Sequence, residues 1–162
     1  MRVGVRIGVD VGKARIGVAR SDPHGMLATP VETVPRAADD LADIARIADI
    51  VTEHDALEAV VGLPLNLRGE RTPSTDDAAR FAERLAARLS VPVRLVDERL
   101  STVSAQAHLR AAGKRTKQSR SIIDQAAAVV ILQHALDIER SSGHAPGHAA
   151  EVKTTGTGEA TE

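Results

Sequence analysis

The chain of 162 residues contains no cysteine, tryptophan or tyrosine, and Phe81 is its single aromatic residue. The absence of cysteine excludes disulfides, thiolate metal sites and a cysteine nucleophile, and it fits a reducing, cytoplasmic location. The scarcity of aromatics argues against a protein that binds single strands by stacking bases on aromatic platforms. The net charge is −1, so nucleic-acid binding, if it occurs, must use a local basic patch.

Long hydrophobic runs are also missing, since no segment is long enough to cross a bilayer. The N-terminal apolar stretch is interrupted by glycine and carries Asp10, unlike a signal peptide. With 43% hydrophobic and 27% charged residues, we expect a soluble globular protein with no membrane partner. We predict one domain over residues 1–140 and a disordered tail over residues 141–162, which is rich in Gly, Ala, Thr and Glu and lacks periodicity.

The order of the predicted elements is typical of an α/β fold. Three strands come first, followed by a helix, a strand, a helix, a strand and two helices. This order predicts one domain with a mixed, five-stranded sheet flanked by helices. The predicted strands are 3–9, 16–19, 27–34, 57–62 and 91–96, and the predicted helices are 38–54, 74–89, 101–111 and 119–140.

Asp10 follows the first apolar strand and precedes a tight turn at Gly12. Because strand residues alternate between faces, Asp10 lies opposite Ile7 and Val9 and beside Gly8. A carboxylate at the end of a buried strand is costly unless it is paired or binds a metal. The glycine leaves room beside it for a ligand or another backbone. The alternative interpretation is that Asp10 initiates the Asx-type turn of a hairpin.

Two further acidic positions lie far downstream. Asp97 and Glu98 follow a predicted strand and point to opposite faces, so only one of them is expected to join Asp10. The alternative is a solvated strand end, with Arg99 as a local partner. Asp124 lies on the apolar face of the last predicted helix and is therefore expected to face the sheet. Its alternative role is helix capping, because Ser121-x-x-Asp124 has the spacing of a capping box.

Taken together, these acids lie near strand ends or at the start of a sheet-facing helix. Carboxylates grouped in this way form oxygen-only sites for Mg²⁺ or Mn²⁺. Two such ions, about 3.5–4 Å apart, would hold both the attacking and the leaving oxygen of a phosphodiester. The acids therefore predict a metal-dependent nuclease.

Four ordered motifs resemble those of the YqgF family, also described as RuvX-type Holliday junction resolvases. They are GVDVGKARIGVARSD, VVGLPLNLRGE, VDERLSTVSA and IDQAAAVVILQ, and they span nearly the whole globular part. The resemblance implies a RuvC-like, RNase H-like fold and metal-dependent cleavage of phosphodiesters. It implies a role in processing the 5′ end of pre-16S ribosomal RNA. By motif, it implies that Asp10, Glu98 and Asp124 are catalytic and hold Mg²⁺ or Mn²⁺.

Basic residues flank the predicted acids, and the fold would gather them into a phosphate-binding rim at one edge of the sheet. The alternative is that these loop charges are simply solvated. The candidate nucleic-acid-binding residues are Lys13, Arg15, Arg68, Arg71, Arg99, Lys114, Arg115 and Lys117.

Three classes of function remain open at this point. The first is a nuclease acting on structured RNA or branched DNA, with a pre-ribosomal particle as a candidate partner and a monomer or homodimer as its state. The second is an ATPase of the actin or sugar-kinase type, whose first phosphate loop also follows a strand. Such ATPases need a second lobe, for which 162 residues leave no room. The third is a non-catalytic RNA-binding or ribosome-assembly factor.

Overall fold

The computed structural model describes residues 1–38, 41–98 and 117–150. The predicted helix at 101–111 lies outside these residues, as do Arg99, Lys114 and Arg115. In chain order the elements are β1 (Arg6–Val11), β2 (Arg15–Ser21), β3 (Ala28–Pro35), α1 (Ala42–Glu53), β4 (Glu58–Leu63), α2 (Pro73–Arg88), β5 (Val93–Asp97), α3 (Lys117–Ser142) and β6 (His148–Ala149).

The strands form one mixed sheet in the order β3-β2-β1-β4-β5-β6. β1, β4 and β5 run parallel, while β2 and β3 form an antiparallel meander on one side. The predicted α/β class with a mixed sheet is thus confirmed. Because parallel strands end at the same edge, the carboxyl ends of β1, β4 and β5 and the β1–β2 turn share one edge of the sheet.

The sheet has a sixth strand where five were predicted, and it comes from the segment predicted as a tail. α3 continues to Ser142, and the chain then returns so that β6 pairs antiparallel with β5. The Arg94 side chain donates hydrogen bonds to the carbonyls of Pro146 and Gly147, at 2.7 and 2.9 Å. A two-residue strand is too short to show periodicity, so the sequence pattern does not reveal it. Residues 151–162 lie outside the described part of the chain.

Two apolar layers cover the two faces of the sheet. α1 and α2 pack against one face through a core that includes Ile7, Val9, Val61 and the buried Phe81. On the other face, α3 packs over a smaller cluster that includes Val60, Val96, Ala128, Ile131 and Leu132. The alternation of faces places Gly8, Asp10 and Gly62 under α3. No helix in the described ranges is long and apolar enough to cross a membrane.

The C-terminal end of α3 is held in place by a buried network of charged side chains. Glu139 accepts hydrogen bonds from the guanidinium groups of Arg6 (3.0 Å) and Arg2 (2.7 Å). Arg2 also forms a two-nitrogen contact with Glu58, at 3.0 Å for each bond. Arg6, Glu58 and Glu139 are buried, and the network therefore ties α3 to the start of β1 and β4. This attachment sets the direction in which the opposite end of α3 meets the sheet.

Candidate active site at the carboxyl edge of the sheet

Asp10 lies within the paired part of β1, where its register partner on β2 is Gly17. The chain reverses farther on, where the Gly12 amide donates to the Arg15 carbonyl at 2.9 Å. Burial and, to a smaller extent, the negative charge of Asp124 together raise the pKa of the Asp10 carboxyl to about 6. Asp10 is therefore a strand residue with a poorly solvated carboxyl group beside a second acid, rather than the start of an Asx-type turn.

Glu98 follows β5 and lies under α3, whereas Asp97 is exposed. Val96 packs in the cluster beneath α3, so a residue two positions later falls on the same face. A Cβ placed on Gly62 would lie only 2.6 Å from Glu98 Oε2. The Glu98 carboxylate therefore extends over β4, the strand between β5 and β1. Glu98 is only 6% exposed, so the alternative interpretation of a solvated strand end does not apply to it.

Asp124 reaches the same face from α3. α3 already includes Lys117, seven residues earlier, and no acidic residue lies in its first described turn. The capping interpretation of Asp124 is therefore wrong. The Asp124 backbone carbonyl lies directly over Gly17, so closely that a Cβ on that glycine would overlap it. Because Gly17 is the register partner of Asp10, this contact brings the third acid beside the first.

Asp124 is ion-paired with Arg15, the first residue of β2. The Arg15 Nε donates to Asp124 Oδ2 at 2.7 Å. The Arg15 side chain is 40% exposed and that of Asp124 is 16% exposed, so the guanidinium covers the carboxylate from the solvent side. Arg15 thus offsets part of the negative charge that Asp10 and Asp124 bring together.

Carboxylate oxygens are the ligand type that Mg²⁺ and Mn²⁺ prefer. Burial first, and the nearby charge of Asp124 second, raise the pKa of Asp10, and a bound cation would favour its ionised form. In the described parts of the chain, no group of three or more Asp, Glu, His or Cys side chains is placed to hold a metal ion. Asp124 is held by Arg15 instead. The donor set therefore fits a hard cation in its chemistry, although Asp124 Oδ2 is held by Arg15 in the structure.

Five of the predicted phosphate-binding residues lie in the described part of the chain, and four of them, Lys13, Arg15, Arg68 and Arg71, are at this edge of the sheet. Lys13 is exposed in the β1–β2 turn, and Arg68 is exposed in the loop after β4. Arg71, in the same loop, forms an ion pair with Asp76 at 2.9 Å. Arg15 contacts Asp124, as described above. Lys117 is the first residue of α3, the helix that carries Asp124.

Arg36 is a positioning residue that the sequence patterns did not indicate. Its Nη1 donates to the Gly12 carbonyl at 2.8 Å, and two of its nitrogens contact Asp77 at 2.8 and 3.0 Å. Its guanidinium carbon lies 5.5 Å from the centre of the Phe81 ring. Arg36 therefore fixes the turn that follows Asp10 to α2. A lone arginine after a proline carries no sequence signal for this role.

A family model described as "RuvX: Holliday junction resolvase" matches residues 4–138. A protein of Clavibacter michiganensis subsp. michiganensis, named "Putative pre-16S rRNA nuclease", is 63% identical over 147 residues, which cover 91% of each chain. A protein of Leifsonia xyli subsp. xyli with the same name is 60% identical over 153 residues, covering 94% of this chain and 98% of that protein. These relatives confirm the prediction of a hydrolase that acts on ester bonds.

Two solved structures share the fold. Thermus thermophilus RuvC in complex with a Holliday junction substrate superposes with a TM-score of 0.58 and 19% identity, covering 89% of this chain and 99% of that chain. A second structure of the same RuvC gives a TM-score of 0.55 at 17% identity, with 88% and 99% covered. At these identities the likeness supports the fold alone, and it confirms the predicted RuvC-like, RNase H-like class.

Proposed function

Because the chain belongs to the RuvX family, we propose that it is a metal-dependent nuclease that processes the 5′ end of pre-16S ribosomal RNA. The observation that supports the proposal is that Asp10, Glu98 and Asp124 all lie on the face of the sheet that α3 covers. Asp10 and Asp124 interact electrostatically, and the Glu98 carboxylate extends toward them over Gly62. Relatives at 60–63% identity that are named pre-16S rRNA nucleases support RNA as the substrate.

We assign Asp10, Glu98 and Asp124 as the residues that hold Mg²⁺ or Mn²⁺. When bound, the metal would supply the positive charge that stabilises the attacking and leaving oxygens of a phosphodiester. Asp10 has a pKa of about 6 and is therefore mostly ionised at neutral pH. Ionised Asp10 offers an oxygen ligand, and its burial keeps competing water away from that oxygen.

The exposed cations at the same edge would hold the substrate. Lys13 and Arg68 flank the acids on the β1–β2 turn and the β4–α2 loop. Within the described part of the chain, neither side chain is engaged in an ion pair, so both can contact phosphates without losing a partner. Phosphate contacts position a nucleic acid without reading its sequence. Since the only aromatic residue is buried, RNA architecture rather than base stacking would select the substrate.

The experiment compares two labelled substrates with the purified full chain. One is a 16S ribosomal RNA precursor fragment with its 5′ extension, and the other is a four-way DNA junction. Each is incubated with Mg²⁺, with Mn²⁺ and with EDTA, alongside Asp10→Asn as the matched inactive control. We expect cleavage of the RNA extension only with metal and only by the wild type.

Each alternative has its own result. Cleavage of the junction but not of the RNA would make the chain a DNA junction resolvase. Binding of RNA without cleavage under every condition would make it a non-catalytic assembly factor. If Asp10→Asn cleaved as fast as the wild type, the assigned acids would not be the catalytic residues.

A further inference from the structure

We infer that Arg15 is an exchangeable partner of Asp124 that couples metal binding to nucleic-acid binding, an inference that rests on the function proposed above. In the structure Arg15 neutralises Asp124. On binding, the guanidinium leaves the carboxylate for a phosphate of the substrate, and the carboxylate becomes available to the metal.

The form of the ion pair supports this exchange. Arg15 contacts Asp124 through Nε alone, at 2.7 Å, which leaves both Nη nitrogens outside the contact. By contrast, Arg36 uses two nitrogens on Asp77 and is itself mostly buried. Arginine binds carboxylate and phosphate with the same donor geometry, so a phosphate can replace Asp124 without loss of hydrogen bonds. Of these two arginines, Arg15 makes fewer hydrogen bonds to its carboxylate partner and is more exposed.

The position of Arg15 supports the coupling. It lies on the face of β2 that α3 covers, since Gly17, two residues on, contacts the Asp124 backbone. It also follows directly after the turn that carries Lys13, an exposed candidate for phosphate binding. A guanidinium in this place can therefore reach a phosphate at the edge of the sheet while its backbone stays paired in β2. The exchange needs only a side-chain movement.

Charge makes the two binding events mutually dependent. A divalent cation and a guanidinium on the same carboxylate repel each other, so the metal competes with Arg15 for Asp124. A phosphate that engages Arg15 removes this competitor and also adds an anion beside the metal. Because coupling is reciprocal, the nucleic acid should tighten metal binding by the same factor as the metal tightens nucleic-acid binding.

The test measures Mn²⁺ affinity by the loss of its free electron paramagnetic resonance signal, with and without a saturating RNA hairpin. The Mn²⁺ bound by the hairpin alone is subtracted, and gel electrophoresis checks that the hairpin is intact at the end of each titration. Arg15→Gln removes the charge and keeps a polar side chain of similar reach. Arg20→Gln is the matched control, because Arg20 is an exposed arginine on the same strand that points to the opposite face. Arg15→Lys keeps the charge and loses the fork of donors.

We expect RNA to tighten Mn²⁺ binding to the wild type and to Arg20→Gln by about fivefold or more. Without RNA, Arg15→Gln should bind Mn²⁺ several times more tightly than the wild type, and RNA should change its affinity less than twofold. Arg15→Lys should retain part of the coupling. Equal Mn²⁺ affinity of Arg15→Gln and the wild type, or an equal effect of RNA on both, would overturn the inference and leave the metal site standing. Absence of Mn²⁺ binding by the wild type in both conditions would instead overturn the proposed metal site, and with it this inference.

Discussion

Asp10 on β1 stands directly opposite Gly17 on β2, and the backbone carbonyl of Asp124 occupies the space where a side chain of Gly17 would lie. The glycine thus decides how near α3 comes to the sheet. Since α3 carries Asp124, the missing side chain at Gly17 sets the separation between the first and third acids. The electrostatic effect of Asp124 on the pKa of Asp10 is a consequence of this close approach.

Gly17→Ala should therefore separate α3 from β2 and lower activity more than it lowers stability. The new Cβ would meet backbone atoms of Asp124, which cannot rotate away. We expect a loss of about 1–3 kcal/mol in the free energy of unfolding and near-complete loss of cleavage. Urea unfolding and RNA cleavage measure the two effects. Ala14→Gly, at an exposed position in the adjacent turn, is the control for altered backbone entropy. Full activity of Gly17→Ala would show that the close approach is not needed.

Asp10→Asn should stabilise the metal-free protein at neutral pH. The folded-state pKa of Asp10 is raised to about 6 from an ordinary value of 3.8, so the folded state binds more protons than the unfolded state between these values. The stability of the wild type therefore falls as the pH rises through this window, and the neutral amide avoids that loss. Above pH 6, the free energy of unfolding of Asp10→Asn should therefore exceed that of the wild type by about 3 kcal/mol at most.

The measurement is urea unfolding in EDTA at a series of pH values. The gain from Asp10→Asn should grow from about pH 4 to pH 6 and then remain constant. Asp97→Asn changes an exposed acid at the end of β5 and should show no comparable gain. A constant difference across the whole pH range would mean that the carboxyl of Asp10 is not poorly solvated in the folded state.

Glu98→Gln should reduce cleavage by about 100-fold, because the substitution removes a proposed metal ligand. Asp97→Asn should retain most of the activity, since Asp97 is exposed on the opposite face of the strand. Both substitutions replace a carboxylate with the corresponding amide, and they differ in the face of the strand on which the side chain lies. Steady-state cleavage rates with saturating Mn²⁺ give the comparison. The opposite ranking would assign the catalytic role to Asp97.

Replacing Lys13 and Arg68 together with Ala should weaken RNA binding and flatten its dependence on salt. Each lost phosphate contact lowers the slope of log affinity against log salt by about 0.7–0.9. We expect a total decrease of about 1.5, with Mn²⁺ affinity in the absence of RNA unchanged. Fluorescence anisotropy at several salt concentrations measures it. Arg88→Ala, an exposed arginine at the end of α2 away from the acids, is the control. If the double variant showed the same salt dependence as the wild type, other residues would form the RNA-binding surface.

The sequence by itself determined the class of fold and the identity of the candidate acids. Alternation along β1 put Asp10 on the face opposite Ile7 and Val9, because a strand has a period of two whatever it packs against. The same rule put Asp97 and Glu98 on opposite faces, and the resemblance to the YqgF motif then selected Glu98. Local patterns of this kind depend only on neighbours in the chain, so they can be predicted without knowing the partners of each strand.

Only the tertiary structure decided the partners of these residues. That Arg15 contacts Asp124, 109 positions away, follows from the packing of α3 on Gly17 and has no local pattern. The presence of helix from Lys117 onward changed the interpretation of Ser121 and Asp124, because capping requires that a helix begin at the capping residue. The short strand β6 likewise exists through its pairing with β5 and the hydrogen bonds of Arg94. Contacts between distant residues arise from packing over the whole sheet, which no short segment of the sequence encodes.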